Sequence, residues 1–393
     1  MNILLITREF PPFVLGGVAY HSYNLARSLI DLGHNVTVLV PSNCYSNKDN
    51  SIFNLNELDI VKIHYNELPV PRIWFSRAVK RQLLKSGFTD KFDIIHSHEY
   101  IDFKGINLPA ILKIHTNLNE KSKYISESLA IGFKSQVSIR LAKAILWPIE
   151  KKLELRSLKS SVTRIYISQL AKTKCETYYN FKDSNYRIVY NGVDTNLFNV
   201  EPKKNNFDFK KEKYFLFVGG TEYRKGIDII CNCLNQISID TSSFKVKIVG
   251  QYNSDSLHIK AVSHHNNIEF LGRTNQQDLL NLYQNAIALI HPARYEPFGN
   301  VVLESLACGT PVILSDENHC GAAEIINKDC GIKINPNNPI ELADAMEYIF
   351  KNREQYNPED CRNIAEKYTW ERVALETIKC IEMTKNDNYE GKK

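Results

Sequence analysis

The amino-acid sequence predicts an α/β protein of two domains, each built on a parallel sheet that helices cover on both faces. The chain has 393 residues, more than a single ordinary hydrophobic core holds. Short apolar runs of strand length alternate with segments of helical periodicity, which is the pattern of βαβ units. A polar stretch at 201–213 interrupts this alternation, which then resumes. We therefore expect two domains joined near that stretch.

The first domain is predicted over residues 1–200. An apolar run at 3–7 has the length of a buried strand, a loop with Gly16 and Gly17 follows, and 20–31 repeats apolar residues at helical spacing. Further buried strands are predicted at 36–40, 61–64, 94–96, 110–115, 164–168 and 187–190. This order of elements predicts a Rossmann-like domain.

A helical stretch without strand signals is predicted between residues 115 and 164. Within 130–147, Phe133, Val137, Leu141 and Ile145 share one face, and basic residues lie off that face. The segment is either a packed helix of the domain or a lip that meets a lipid acceptor or a membrane surface. Both interpretations remain open.

The second domain is predicted over residues 201–370, where the alternation resumes. Its expected strands are 214–218, 245–249, 268–271, 288–291 and 311–315. Its expected helices are 228–237, 276–285 and 300–308. A further helical segment at 369–383 follows. This half also reads as a Rossmann-like domain, so one cleft is expected between the two.

Charge and cysteine content narrow the class of protein. The chain has 49 Lys and Arg against 44 Asp and Glu, a net charge of +5, which suits phosphates or an anionic surface but is too weak for nucleic acid. The 9 cysteines are odd in number and lack paired C-x-x-C spacing, so we expect reduced thiols in a cytoplasmic protein. Residues 1–40 fit neither a signal peptide nor a transmembrane span, because Arg8 and Glu9 interrupt a short apolar run.

The segment from Glu296 to Glu304 connects a predicted strand to a predicted helix. Ligands of α/β sheets bind at the carboxyl ends of strands, and a helix N-terminus offers free N–H groups to a phosphate. Gly299, Asn300 and Val301 are placed to supply those amides, and Glu304 can accept hydrogen bonds from a ribose. Glu296 would then face sugar hydroxyls. Two such glutamates also occur as ordinary surface and first-turn acids, so their position matters more than their spacing.

A second loop, which follows the predicted strand at 214–218, ends in the adjacent cations Arg224 and Lys225. A diphosphate leaving group gains negative charge as its bond to a sugar breaks, and fixed cations stabilise that transition state more than the ground state. A solvated charged turn is the alternative interpretation. Gly16 and Gly17 also precede a helix, so their amides could reach the same diphosphate from the other domain.

Imidazoles gather at the ends of two predicted strands. His96 and His98, with Glu99, follow one strand, and His115 ends another. The ligand spacing of a metal site is missing, and no Asp-x-Asp stands beside a strand, so we expect no metal and assign His115 to hydrogen bonding with a sugar. A buried histidine at a strand end is an equally good interpretation of His96.

Taken in order, these motifs resemble the retaining GT-B glycosyltransferases with a Glu-x7-Glu motif, the glycosyl transferases of group 1, which include lipopolysaccharide glucosyltransferases and phosphatidylinositol mannosyltransferases. The resemblance covers nearly the whole chain. The matching segments are 11–18, 93–98, 114–116, 190–194, 218–220, 224–226, 270–272, 291–292, 296–304 and 307–312. It implies the GT-B architecture: two Rossmann-like domains face each other across a cleft, residues 1–200 on the acceptor side and 201–370 on the nucleotide-sugar side, and a helix in 371–393 crosses back to the first domain.

The resemblance also implies a role for each matching residue. His115 and Glu296 would be catalytic, Gly16, Gly17, Arg224 and Lys225 would bind the donor diphosphate, Phe298, Gly299, Asn300, Val301 and Glu304 would bind the donor sugar and ribose, and His98, Glu99 and Asn191 would line the acceptor side or the cleft. Retention would follow from front-face attack, in which the leaving phosphate takes the acceptor proton. The resemblance implies no cofactor and no metal, because the nucleotide sugar is a substrate.

Two positions depart from the family pattern. Gly220 stands where many members have arginine, so the diphosphate contact would rest on Arg224 and Lys225. The segment from Gly321 to Glu324 reads Gly-Ala-Ala-Glu instead of Gly-Gly-x-x-Glu, which weakens the expectation of donor-sugar contacts there.

The expected partners are a nucleotide-sugar donor, with UDP favoured, and a glycan or lipid-linked acceptor of bacterial surface polysaccharide or lipopolysaccharide synthesis. Peripheral contact with the inner face of a membrane stays open, nucleic acid is not expected, and the sequence specifies neither oligomeric state nor linkage. A sugar-nucleotide epimerase and a non-catalytic binding partner are the alternatives. A plain NAD-binding enzyme is disfavoured, because no G-x-G-x-x-G follows the first strand.

Overall fold

Two parallel sheets, each flanked by helices, form the two domains of the chain. The computed structural model describes residues 1–14, 16–42, 55, 58–65, 71–117, 119–120, 133–200, 212–220, 222–251 and 265–390, without the side chains of 133–145 and 386–390. The expected linker at 201–213 and the amphipathic face of 130–147 therefore lie largely outside the described residues.

The first sheet has seven parallel strands. They are β1 Asn2–Ile6, β2 Asn35–Pro41, β3 Asp59–Ile63, β4 Ile94–Ser97, β5 Ala110–Ile114, β6 Thr163–Tyr166 and β7 Tyr186–Ile188. Their order across the sheet is β3-β2-β1-β4-β5-β6-β7. Helices of this domain are α1 Gly17–Asp31, α2 Pro71–Leu83, α3 Phe133–Ser160 and α4 Gln169–Tyr179.

The second sheet has six parallel strands. They are β8 Tyr214–Val218, β9 Lys245–Val249, β10 Ile268–Gly272, β11 Leu289–His291, β12 Val312–Ser315 and β13 Gly331–Ile334, in the order β10-β9-β8-β11-β12-β13. Helices that follow or flank them are α5 Ile227–Leu234, α6 Gln276–Asn285, α7 Asn300–Ala307, α8 Pro339–Lys351, α9 Pro358–Ala365 and α10 Trp370–Glu390. In both sheets the strand order reverses beside the first strand, which is where doubly wound sheets bind ligands.

The central strand β1 shows why its residue types form a buried parallel strand. Because successive side chains point to opposite faces, Ile3 and Leu5 pack in one hydrophobic cluster while Leu4 and Ile6 pack in another. All four are fully buried. A strand covered on both faces needs a continuous apolar run, which is what the sequence has there.

Helix α10 returns to the first domain. Val373 and Ile381 lie in the same hydrophobic cluster as Ile3 of β1. The hydroxyls of Thr384 and Thr163, both buried, are 2.7 Å apart. The first domain is therefore completed by the C-terminal helix.

The predicted fold class is confirmed, and most predicted strands and helices lie within a few residues of the observed ones. The prediction did not include α2, α4, β13, α8 or α9. The strand expected to reach residue 168 ends at Tyr166, because Ser168 caps α4 by accepting a hydrogen bond from the Ala171 amide at 2.9 Å. None of the helices among the described residues is both long and apolar enough to cross a membrane.

Candidate active site

A cavity of about 430 Å³ lies between the two domains, at the carboxyl ends of their strands. The predicted site residues that line it are Gly16, Gly17, His115, Asn191, Arg224, Lys225, Glu296, Phe298, Gly299, Asn300, Val301 and Glu304. His98 and Glu99 do not line it. The fold thus brings residues from distant loops of both halves to one cleft.

The loop from Glu296 to Asn300 places the N-terminus of α7 at this cavity. Gly299, which precedes α7, has φ +105°, a backbone conformation that disfavours any side chain. The loop is held by backbone hydrogen bonds from Glu296 N to His319 O at 2.8 Å and from Ala322 N to Phe298 O at 2.8 Å. The free amides of the first helical turn are therefore fixed where an anion could bind.

Glu296 lies in a cluster of charges. Its Oε2 pairs with Lys225 Nζ, lies 3.2 Å from Arg224 Nη1 and lies 3.6 Å from Nε2 of the buried His291. Burial raises the pKa of Glu296, but the charges of Lys225 and Arg224, with the His291 contact, outweigh it and hold that pKa well below its ordinary value. Glu296 is thus an ionised hydrogen-bond acceptor at neutral pH.

Arg224 and Lys225 lie on a short turn that is locked to the loop after β11. The turn ends at Gly226, with φ +76°, where a Cβ would lie 2.0 Å from the Pro292 carbonyl oxygen. Arg294 fastens the same contact, because its amide donates to Arg224 O at 2.8 Å and its guanidinium pairs with Asp228 at 2.6 Å. Only glycine permits this close approach, so the two cations are held at the cavity by backbone packing.

Glu304, one helical turn into α7, has a different environment. Its Oε2 accepts a hydrogen bond from Tyr283 Oη at 2.8 Å. Burial raises the pKa of Glu304, and the Tyr283 hydrogen bond offsets this only in part. The two glutamates of the motif therefore have pKa values displaced in opposite directions.

The first domain contributes the opposite wall of the cavity. Gly17 begins α1, and a Cβ there would lie 3.6 Å from Asn300 Nδ2 of the other domain. Asn191 Nδ2 donates to Asn300 Oδ1 at 2.8 Å across the interface. The N-termini of α1 and α7 thus approach the same space from the two domains.

His98 and Glu99 occupy positions behind the cavity wall. Nδ1 of His98 is 3.1 Å from Nε2 of His115, which does line the cavity. Glu99 lies 3.8 Å from Arg8. These two residues therefore do not line this cavity, and their expected place on the acceptor side stays a prediction.

Imidazoles behind His115 form one group with the chemistry of a metal site. Ring nitrogens of His21, His98 and His115 lie within 4.8 Å of one another. His98 Nε2 also lies 3.1 Å from His96 Nδ1, and the nearby buried Lys113 acts with burial to lower the pKa of His96 to about 3. Both nitrogens of His98 lie within hydrogen-bond distance of a neighbouring imidazole, so the described residues form a hydrogen-bonded chain here.

Several residues near the cavity were not predicted. Glu9, Tyr20, Thr116, Glu120 and Tyr295 also line it. They lie in or beside the segments that resemble the family. Their position next to those segments is the sequence signal that could have identified them.

The position of Glu324 at the boundary between the two domains was also not predicted from the sequence. Its carboxylate accepts hydrogen bonds from the amides of Gln169 at 2.9 Å and Leu170 at 2.8 Å, at the start of α4, and from Tyr190 Oη at 3.1 Å. This residue of the second domain therefore caps a helix of the first.

Comparison with known families assigns each half of the chain. Residues 199–368 match the family described as glycosyl transferases group 1, and residues 15–197 match the family described as glycosyltransferase family 4.

Known relatives and solved structures extend over nearly the whole chain. An uncharacterised glycosyltransferase of Methanocaldococcus jannaschii is 28% identical, covering 96% of this chain and 97% of the relative. The structure of WaaG, a glycosyltransferase involved in lipopolysaccharide biosynthesis, has a TM-score of 0.71 at 17% identity and covers 96% of this chain and 99% of WaaG. Anabaena HepE in complex with UDP-glucose has a TM-score of 0.69 at 16% identity and covers 98% of this chain and all of HepE, 100%.

Both family models, the full-length relative and the paired parallel-sheet fold agree with one another. The chain belongs to the GT-B glycosyltransferases, with a family 4 N-terminal domain and a group 1 C-terminal domain.

Proposed function

We propose that this glycosyltransferase moves a sugar, with retention of anomeric configuration and without a metal, from a UDP-sugar to a hydroxyl of a glycan or lipid-linked acceptor. The observation that carries the proposal is the convergence of fixed donors on one cavity. Arg224 and Lys225 come from one loop, and the N-termini of α7 and α1 come from the two domains. A diphosphate seated there would meet two cations and two sets of free amides.

Metal independence is supported by the charges that this chain supplies. Arg224 and Lys225 are held by the Gly226 contact, so they need little reorganisation as charge develops on the leaving phosphate. They could take the charge-neutralising role that a divalent cation has in other phosphate chemistry.

Retention is supported by what the cavity offers to the transferred sugar. Glu296 is paired with two cations and strongly ionised, which suits hydrogen bonding to sugar hydroxyls better than nucleophilic attack. In a front-face reaction the acceptor hydroxyl attacks on the side that the phosphate leaves, and the phosphate takes the acceptor proton. The residues then bind, orient and exclude water.

The nucleotide of the donor and the class of acceptor are proposed from similarity to solved structures. HepE was solved with UDP-glucose, and WaaG is described as acting in lipopolysaccharide biosynthesis. We extend both to this chain as proposals: a UDP-linked hexose as donor, and a bacterial surface glycan or its lipid-linked precursor as acceptor. Peripheral placement on the cytoplasmic face of a membrane belongs to the same proposal.

A thermal-shift panel of UDP-, GDP- and ADP-sugars tests the donor, because a ligand that binds only the folded state raises Tm. We expect the largest shift from a UDP-sugar. Radiolabelled donor with and without candidate acceptors then separates transfer from epimerisation, and NMR of the product gives its anomeric configuration. An inverted product, or turnover abolished by EDTA and restored by magnesium, would contradict the mechanism.

Removing either of two predicted donor contacts is expected to slow transfer. Lys225→Ala and Glu304→Ala should each lower turnover at least tenfold, about 1.4 kcal/mol of transition-state stabilisation. Lys351→Ala is the matched control, because Lys351 pairs with Glu347 on the surface of α8 and its side chain is 58% exposed. Full activity in both cavity variants would contradict the assignment of Lys225 and Glu304 to the donor site.

A further inference from the structure

A chain of imidazoles runs from the cavity into the first domain. His115 lines the cavity, its Nε2 lies 3.1 Å from His98 Nδ1, and His98 Nε2 lies 3.1 Å from His96 Nδ1. His96 is fully buried and His98 is 6% exposed. Burial, together with the charges of neighbouring histidines and Lys113, holds the pKa of His98 well below its ordinary value, so His98 is neutral.

A neutral imidazole carries one proton, so each link of the chain has a direction. Either every ring donates outward, toward His115, or every ring donates inward, toward His96. The direction decides which nitrogen of His115 keeps its proton. Two independent contacts determine it.

The first contact is Ser22, whose Oγ lies 3.2 Å from His98 Nδ1. Ser22 has one hydroxyl proton, which we assign to its shortest contact, Val18 O at 2.9 Å, rather than to Thr7 Oγ1 or His98 Nδ1, which both lie at 3.2 Å. The Thr7 hydroxyl in turn donates to Glu9 O at 2.9 Å. The Ser22 oxygen is therefore an acceptor toward His98, which places the His98 proton on Nδ1.

The second contact is at the buried end of the chain. His96 Nε2 has no hydrogen-bond partner among the described residues. If the chain donated inward, this nitrogen would be a buried N–H without an acceptor, which folded proteins rarely contain. If the chain donates outward, His96 Nδ1 carries the proton and Nε2 is only a lone pair.

We propose that His98 is a positioning residue that holds His115 in its Nδ1–H tautomer, so that His115 meets the transferred sugar as a hydrogen-bond donor. His98 Nδ1–H is shared between Ser22 Oγ and His115 Nε2, and because His115 Nε2 faces an N–H it is unprotonated, which leaves the single proton of a neutral His115 ring on Nδ1. This inference rests on the proposed function for its consequence, but the tautomer itself is a property of the free protein.

The tautomer can be measured without substrate. In protein labelled with 15N-histidine, protonated and unprotonated ring nitrogens have well-separated chemical shifts, and His115→Ala identifies the His115 signals. We expect His115 to be protonated at Nδ1 in the wild type. Protonation at Nε2 instead would overturn the proposal even if the enzyme transfers sugar as proposed.

Two substitutions of His98 separate its two contacts. Asn places an amide near the position of His Nδ1, so His98→Asn keeps a donor for His115. Gln places an amide near His Nε2, so His98→Gln keeps the His96 contact and loses the His115 contact. We expect His98→Asn to keep the tautomer and kcat within about threefold, and His98→Gln to mix the tautomers and lower kcat about tenfold with little change in donor KM.

Ser22→Ala covers the case in which the His98 variants do not fold. It removes one of the two contacts that fix the His98 proton, so we expect a measurable population of the second His115 tautomer and a lower kcat. Equal kcat losses in His98→Asn and His98→Gln, or an unchanged tautomer in Ser22→Ala and His98→Gln, would contradict the inference. A wild type with the Nδ1–H tautomer but no transferase activity would contradict the proposed function alone.

Discussion

Glu304 shows, at the scale of one residue, how a binding site works against the stability of the free protein. Its carboxylate is buried beside Tyr283, and the raised pKa means that folding disfavours its charged form. A charged Glu304 would nevertheless be the better acceptor for the hydroxyls of the ribose that we propose binds there. In that proposal, function and stability favour opposite protonation states of Glu304.

Glu304→Gln is expected to raise Tm of the free protein by about 1–3 °C at pH 8, since a neutral amide avoids the burial of charge and still accepts from Tyr283. The folded pKa is raised, so the wild type loses stability as pH rises through it. The advantage of Gln should therefore vanish below about pH 4.3, the ordinary pKa of Glu. Affinity for UDP should fall about tenfold, because a hydrogen bond to a charged group is lost.

Calorimetry across pH, with UDP titrations at pH 8, checks both effects. Glu376→Gln is the control, because the Glu376 side chain is 54% exposed and should leave Tm and affinity unchanged. A Glu304→Gln protein with the same Tm as wild type at every pH would show that Glu304 is not buried as a charge.

At the scale of elements, the loop from Glu296 to Asn300 depends on a backbone conformation that glycine allows. Gly299 precedes α7 with φ +105°, and its nearest neighbour, Glu296 Cγ, would be 3.4 Å from an added Cβ. The space is tight but open, so strain in the backbone is the main cost of a side chain. That cost is on the order of 1–3 kcal/mol.

Gly299→Ala is therefore expected to lower Tm and to raise donor KM at least fivefold, because relieving the strain moves the α7 amides. Gly33→Ala is the matched control: Gly33 has φ +83°, and nothing lies within 4 Å of an added Cβ. It should lose comparable stability and keep the wild-type KM. A comparable rise in KM in both variants would mean that lost stability, rather than loop position, sets donor affinity.

The sequence predicted most strands, including the partly buried β3, β7 and β10, and missed one edge strand and several helices. Strand β8 has five buried residues and was predicted with the observed bounds, because both faces are covered. The edge strand β13 exposes Lys333 and has no such run. Helix α9 has eight residues and follows no predicted strand, whereas α5 and α7 are as short but each follows a predicted strand and loop.

The candidate site was predictable to the same extent. Its loops follow strands, and loops after parallel strands meet at one edge, so the cleft residues could be placed together from sequence. The pairing of Glu304 with Tyr283 and of Glu324 with the start of α4 could not. Those contacts depend on how separate elements dock, which no local pattern records.

At the scale of the whole molecule, Glu324 joins the two domains beside the cavity. Its carboxylate accepts from two free amides of α4, where a negative charge also interacts well with the helix dipole. Ser168 Oγ donates to Pro297 O at 2.6 Å, and a Cβ on Gly321 would lie 2.7 Å from Ser168 Cβ. The loop from Glu296 to Asn300 is thus fastened to the first domain beside the cavity.

Glu324→Ala is expected to speed hydrogen exchange at the amides of Gln169 and Leu170 about tenfold, corresponding to a capping contribution of about 1.4 kcal/mol. Donor-dependent turnover should also fall, because a contact that holds the two domains together beside the cavity is lost. Asn338→Ala is the control: Asn338 caps α8 within one domain, through Ile340 N at 3.2 Å, and should change exchange only there. Unchanged hydrogen exchange at residues 169–170 in Glu324→Ala would show that the hydrogen bonds of Glu324 do not hold the two domains together.

The return of α10 to the first domain also has a consequence for how the protein is made. Val373 and Ile381 complete the same core as Ile3, yet a ribosome working at about 5–20 residues per second reaches Trp370 roughly 20–75 s after Ile3. Domains that fold as units are normally finished in the order of synthesis. Here the first domain waits for a helix that follows the second domain, so the nascent chain carries an uncovered apolar face while the whole second domain is being made.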